Sequence, residues 1–236
     1  MHPRQPNNPQ WTGAPVLSGR GLVKRYGAQY ALAGVDIDIR AGDAVAIVGP
    51  SGSGKTSLLH VLAGILRADS GEIYLAGQRV DQLGEKKRSE LRRTEFGFVF
   101  QSGMLVSELS AEENVALPSL LAGKGRKEAI DAGRIWLERL GLKGMENRRP
   151  GEMSGGQAQR VAIARALTHR PKVIFADEPT GALDTRTGRE TMDALLDAAR
   201  ETGAAVIVVT HDRDLAESLP TTVAIRDGLI ASKVAA

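Results

Sequence analysis

The segment Gly49-Pro50-Ser51-Gly52-Ser53-Gly54-Lys55-Thr56 leaves this chain few folds to choose from. It fits G-x-x-x-x-G-K-[ST], a pattern that works only between a buried strand and the start of a helix. Both flanks comply. Ala44-Val45-Ala46-Ile47-Val48 is a short apolar run that reads as a strand, and Leu58, Leu59, Val61, Leu62, Ile65 and Leu66 recur at helical spacing. The glycines matter because bare backbone N–H groups must curl around phosphate oxygens, and the helix start adds its positive dipole end. Lys55 is expected to reach the β- and γ-phosphates, and the Thr56 hydroxyl to ligate Mg²⁺. A glycine-serine turn with no ligand is the bland alternative, and the strand and helix in place argue against it. Alone, the segment says only that a nucleoside triphosphate is bound.

Two further apolar runs, Val173-Ile174-Phe175-Ala176 and Ala205-Val206-Ile207-Val208-Val209, read as buried strands of the same parallel sheet. Strands alternating with helical patterns make the fold class α/β. Residues 17–43 and 71–80 look different and predict short antiparallel strands: Val35-Asp36-Ile37-Asp38-Ile39 alternates, and Ala41-Gly42-Asp43 supplies a turn. Residues 107–147 predict helices only, broken at Gly123-Lys124-Gly125, so a helical insert interrupts the core.

The first fifteen residues, 1–15, are rich in Pro, Asn and Gln and read as a disordered tail, neither signal peptide nor anchor. No stretch approaches the roughly 20 apolar residues of a membrane span. A partner is therefore expected to supply any spanning part. The chain has no cysteine, which excludes disulfides and thiolate metal sites. Its net charge of +3 is too small to argue for nucleic acid. The run Lys86-Lys87-Arg88, with Arg92 and Arg93 among glutamates, reads as a solvated helix face.

Past the second strand comes Asp177-Glu178-Pro179. Carboxylates at the C-terminal edge of such a strand sit where open α/β sheets bind ligands. Asp177 is placed to orient Mg²⁺, and Glu178 to act as general base toward an attacking water. A solvated strand end bearing two acids is the alternative. Met153-Ser154-Gly155-Gly156-Gln157 opens another helix. Ser154 and Gln157 make a capping box, which is a sufficient structural reason for both. Two first-turn glycines go further, since each costs about 1 kcal/mol against Ala in a helix interior. They make sense if something approaches the bare amides. Two phosphate-type helix starts, far apart in sequence, can grip one nucleotide only if they face each other, most simply between two copies of the chain.

Taken together these residues resemble the ATP-binding cassette (ABC) ATPases over roughly residues 17–230. Ser154, Gly155, Gly156 and Gln157 are similar to that family's signature motif, with Met153 where Leu is usual. Thr56 and Ser57 invert the common Ser-Thr order but keep a hydroxyl at the metal position. By the same resemblance Tyr26 stacks on adenine, Gln101 is the lid glutamine that senses Mg²⁺, Asp184 belongs to the loop that speaks across a dimer, and His211 contacts the γ-phosphate. The segments Arg92–Gln101 and Ala176–Asp184 are closest to the LolD/MacB/FtsE-like group, although Ala182 stands where Asn is common. The resemblance implies a RecA-like P-loop core, an N-terminal antiparallel β-subdomain and a helical subdomain at approximately 104–165, within a cassette of residues 16–236. It implies ATP hydrolysis by Glu178, His211 and Gln101, with ATP held by Tyr26, residues 49–57, residues 154–157 and Asp184, and Mg²⁺ on Thr56, Gln101 and Asp177. It further implies a head-to-tail dimer, an FtsX/MacB-type permease that holds the chain at the cytoplasmic face of the cell membrane, and export or extraction of a substrate. The alternative within the group is an FtsE-like ATPase that regulates an extracytoplasmic enzyme through a membrane partner. DNA-repair cassettes carry a large insert and translation cassettes come in pairs; this chain has neither.

Overall fold

A computed structural model describes residues 14–235 of the chain. The predicted tail therefore lies almost wholly outside the described residues. Two sheets form the body. The first is antiparallel, ordered β2-β1-β4-β5, and built on a hairpin of β1 (Leu17–Tyr26) and β2 (Gln29–Ile39), with β4 (Ser70–Leu75) and β5 (Gln78–Arg79) added. These first two strands are longer than the short strands expected. The alternation read at Val35–Ile39 holds: Val35, Ile37 and Ile39 are buried and Asp36 is exposed.

The second sheet is ordered β10-β9-β3-β8-β7-β6. Its centre is the three expected strands, β3 (Ala44–Val48), β7 (Val173–Asp177) and β8 (Ala205–Val209), all parallel. Three strands were not anticipated: β6 (Phe96–Phe100), β9 (Thr221–Arg226) and β10 (Leu229–Ala235). β6 joins β7 in parallel, β9 joins β3 in parallel, and β10 closes that side antiparallel to β9.

The pleat of this sheet sorts the core into two halves. Val45, Ile47, Phe175, Ile207 and Val209 face α1 (Lys55–Leu62) and the apolar side of the antiparallel sheet. Ala46, Ile174, Ala176, Val206 and Val208 face α5 (Gly155–Leu167) and α6 (Thr185–Thr202). Helix α1 stops at Leu62, earlier than the periodicity through Leu66 suggested. Gly64, at φ 63°, turns the chain, and the Ile65 and Leu66 amides both fold back to the His60 carbonyl at 2.9 and 3.0 Å. Leu66 still packs on the core while Ile65 is exposed.

The basic run forms α2 (Glu85–Thr94). It is not uniformly solvated: Arg88 is buried and ion-paired to Glu85. Arg92 also bonds Glu85, and these two guanidinium groups, Arg92 first, bring the Glu85 carboxyl down to about 2. The expected helical region contains α3 (Ala111–Leu121) and α4 (Arg126–Arg139), which pack on each other and on α5. No described helix is long and apolar enough to cross a membrane.

Candidate functional site

Parallel strands deliver their C-termini to one edge of a sheet, and here four of them end level. Ile47 of β3 stands opposite Val209 of β8, Val209 opposite Asp177 of β7, and Asp177 opposite Phe100 of β6. Within two residues of these positions come Gly49, His211, Glu178 and Gln101. Chain segments separated by long stretches of sequence thus meet at one edge because of strand register.

From β3 the chain enters α1 through the glycine-rich loop. The N-cap, Gly54, is left-handed at φ 106° and no side chain caps the first turn. An alanine Cβ at Gly54 would come within 2.0 Å of the Ala31 carbonyl oxygen, so this glycine is also required by β2 passing close to the loop. Lys55 lies back over the loop, its Nζ donating to Gly49 O at 2.9 Å and Pro50 O at 3.0 Å. Tyr26, Ser51, Gly52, Gly54, Thr56, Ser57 and Glu178 line, with Lys55, a cleft of about 450 Å³. Gly49, Pro50 and Ser53 form the loop beneath it without lining it, and the Ser53 hydroxyl is buried without a partner. Tyr26 is 54 % exposed, with the Lys24 ammonium over its ring at 5.7 Å from the centroid.

Asp177 is half-buried, and that burial raises its carboxyl above the ordinary value; the nearby His60 and a hydrogen bond with Thr56 act in the opposite direction. A desolvated carboxylate beside a hydroxyl is a fitting pair for Mg²⁺, which takes one or two protein oxygens and fills the rest with phosphate and water. Among the described residues no group of three or more His, Cys, Asp or Glu side chains could hold a metal.

Glu178 adopts φ 48°, a left-handed backbone that costs a non-glycine residue about 1–3 kcal/mol and is commonly retained at functional positions. Its amide is tied to the Val209 carbonyl at 2.9 Å. Its carboxylate Oε1 lies 2.9 Å from His211 Nδ1, and this hydrogen bond is the main reason the His211 imidazole titrates above its usual value. Glu178 also lines a second cavity, of about 350 Å³, shared with Gly181, Asp184, Thr210 and His211. The Gln101 side chain lies over Gly181, where an added Cβ would meet its Nε2 at 3.0 Å. Gln101 is not among the residues lining the loop cleft.

The start of α5 stands apart from that cleft. Ser154 Oγ accepts from the Gln157 amide at 3.3 Å, and the Gln157 Oε1 accepts from the Ser154 amide at 2.9 Å, so the expected capping box is complete. Gly155 is exposed. Gly156 is buried, and a Cβ there would lie 2.4 Å from Thr187 Cγ2. Close packing on α6 thus explains one of the two glycines without any ligand. Asp184 caps α6, accepting from the Thr187 amide at 3.0 Å, and that bond lowers its carboxyl.

Sequence reasoning overlooked Gln159. It is 3 % exposed, and its Nε2 donates to Phe100 O at 2.9 Å and Pro179 O at 2.6 Å. Nothing in its residue type distinguishes it from the solvated glutamines. Its place on the buried face of α5, beside Val161 and Ala162, was the available signal.

The model of the ABC transporter family matches residues 32–181. The chain is 46 % identical over 218 residues to the lipoprotein-releasing system ATP-binding protein LolD 2 of Caulobacter vibrioides, covering 91 % of this chain and 96 % of that one. It is 47 % identical over 221 residues to the macrolide export ATP-binding/permease protein MacB of Nitrosomonas europaea, covering 92 % of this chain but only 33 % of that longer protein. Among solved structures, the dimeric post-hydrolysis state of the ATP-binding cassette MJ0796 bound to ADP and Pi superposes with a TM-score of 0.83 at 35 % identity, covering 93 % of this chain and 98 % of that one.

Proposed function

The chain belongs to the ABC transporter family as an ATP-binding, ATP-hydrolysing subunit, and from that premise we propose that two copies work head to tail with an ATP at each seam. Each nucleotide lies between the glycine-rich loop of one chain and residues Ser154–Gln157 of the other. The observation that carries this reading is the incompleteness of the α5 start. Its Gly155 is exposed and its first turn holds no acidic residue. Lys55, Thr56, Asp177 and Glu178 gather instead at the α1 cleft. The MJ0796 cassette, dimeric and bound to ADP and Pi, supports a two-chain reading.

Within the site, Tyr26 stacks on the base, and the amides of residues 51–57 and Lys55 Nζ bind phosphate. Thr56, Asp177 and Gln101 would hold Mg²⁺, which would supply neutralisation of charge on the phosphate oxygens. Glu178 takes the proton of the attacking water on a carboxylate oxygen. The strained backbone at Glu178 and its hydrogen bond with His211 support that role. His211 holds Glu178 through Nδ1 and carries positive charge readily, which suits contact with the terminal phosphate. Asp184 sits on the second cavity and faces the partner chain.

Residues 16–236 make the cassette, with α3, α4 and most of α5 in the helical subdomain at approximately 104–165. An FtsX/MacB-type permease holds it at the cytoplasmic face of the cell membrane, and closing and opening of the pair drive export or extraction. Relatives named for lipoprotein release and macrolide export support this over a purely signalling role. Size-exclusion chromatography of Glu178→Gln with and without Mg·ATP tests the shared site: a shift from monomer to dimer, abolished by Ser154→Ala, is expected. A chain that stays monomeric at saturating Mg·ATP removes the reading.

A further inference from the structure

Beyond the pair formed by Phe100 and Asp177, β6 and β7 have no more ladder bonds, and their chains part into the loops that carry Gln101 and Glu178. Where the ladder stops, Gln159 bridges the gap with one hydrogen bond to Phe100 O and one to Pro179 O. A primary amide is the uncharged side-chain group that can give two hydrogen bonds from one nitrogen. Methionine would fill the volume and donate nothing; an ionised glutamate would only accept. The carboxamide oxygen lies under Gly103, where an added Cβ would meet it at 3.3 Å. From the same helix Arg165 donates to Gly103 O at 2.6 Å and Met104 O at 2.7 Å. Helix α5 therefore grips the loop after β6 along its length and the loop after β7 at Pro179.

The same helix begins with Ser154 and Gly155, the surface assigned above to the nucleotide of the other chain. We propose that Gln159 is a positioning residue that couples the two ATP sites of the dimer through a single chain. When the start of α5 engages the partner's nucleotide, the helix shifts, and the Gln159 carboxamide passes that shift to the Gln101 and Glu178 loops of its own site. Two rigidly bonded contacts on one buried side chain transmit a displacement that a water-filled gap would absorb. This inference rests on the two-chain reading.

The test is Gln159→Met in the full chain, with ATP hydrolysis followed as a function of ATP concentration. The expected result is a fall in kcat of roughly 10–100-fold with KM nearly unchanged, the effect of misplacing groups that reorganise only for the reaction. Cooperativity in ATP is expected to disappear at the same time, while Glu178→Gln/Gln159→Met still dimerises with Mg·ATP. Unchanged kcat overturns the proposal. So does a fall in kcat that leaves the cooperativity intact, because loss of folded protein alone gives that pattern. Should the variant not fold, the isotope-labelled Gln159 side-chain amide of the Glu178→Gln chain answers instead. Its two protons are expected to be protected from exchange and to shift on adding Mg·ATP; resonances that stay put overturn the proposal. Failure of the two-chain reading shows separately, as Glu178→Gln that remains monomeric. That outcome removes both ideas, whereas a dimer whose Gln159 resonances do not respond removes only this one.

Discussion

At Lys55 the chain enters α1 through a left-handed Gly54 with no side chain over the first turn, whereas at Gly155 it enters α5 beneath the reciprocal Ser154–Gln157 cap. Both starts are rich in glycine and serine, and both lack acidic residues in the first turn. The first is surrounded by its own chemistry: Lys55, Thr56, Asp177 and Glu178 converge on it. The second has its Ser154 and Gln157 amides capped locally, and its Gly155 stands at the surface. A helix N-terminus attracts anions in either case, yet only the first comes with the groups that would act on one. The difference teaches that anion attraction and catalysis are separable: the α1 start combines them, and the α5 start has only the first.

The strongest test of that division is Glu178→Gln, which keeps size and hydrogen bonding but cannot take a proton. Hydrolysis is expected to fall by roughly 10²–10⁴-fold, as for loss of a general base, with ATP binding retained. A wild-type rate in a phosphate-release assay would put the base elsewhere. Next in size is Lys55→Ala. Among the described residues the Lys55 ammonium hydrogen-bonds to carbonyls of its own loop, so the fold should survive while turnover drops by about 10²–10³-fold for want of a phosphate clamp. Circular dichroism and phosphate release distinguish a folded, inactive chain from an unfolded one.

Gly156→Ala sharpens the comparison from the other side. Its Cβ would meet Thr187 Cγ2 at 2.4 Å, so the cost should appear in folding, about 1–3 kcal/mol in denaturant titration, as for overpacking. Full stability with lost dimerisation would show instead that this glycine exists for a ligand. Ser154→Ala removes the side chain that caps α5 and should cost about 0.5–2 kcal/mol of stability. The last prediction has the smallest effect. Hydrogen bonding to Glu178 raises the His211 pKa above its ordinary 6.5. Whatever stability the pair contributes is therefore fully present below that ordinary value and lost as pH rises through the raised one. His211 is exposed, so solvent keeps the contribution small. An NMR titration should place its midpoint above 6.5 in the native chain and return it toward 6.5 in Glu178→Gln.

The glycine-rich loop, the three central strands and the helix behind the loop were readable from local pattern. So were the capping box at Ser154 and the alternation at Val35–Ile39. Each depends on neighbours a few residues away: side-chain period, turn residues, backbone bonds within one element. β9 and β10 escaped because Thr221–Arg226 and Leu229–Ala235 lack a clear period and owe their strand state to pairing with β3 and with each other. β6 was visible only as a motif, since Phe96–Phe100 becomes a strand by lying beside β7. Residue type and spacing named Asp177, Glu178 and Ser154–Gln157 as sites. They could not show that Gly156 is small because Thr187 crowds it, or that Gln159 is buried between two carbonyls. Local hydrogen bonding and hydrophobic period are properties of a segment. Strand order, close approach and the burial of a polar group are settled only when distant segments compete for the same space.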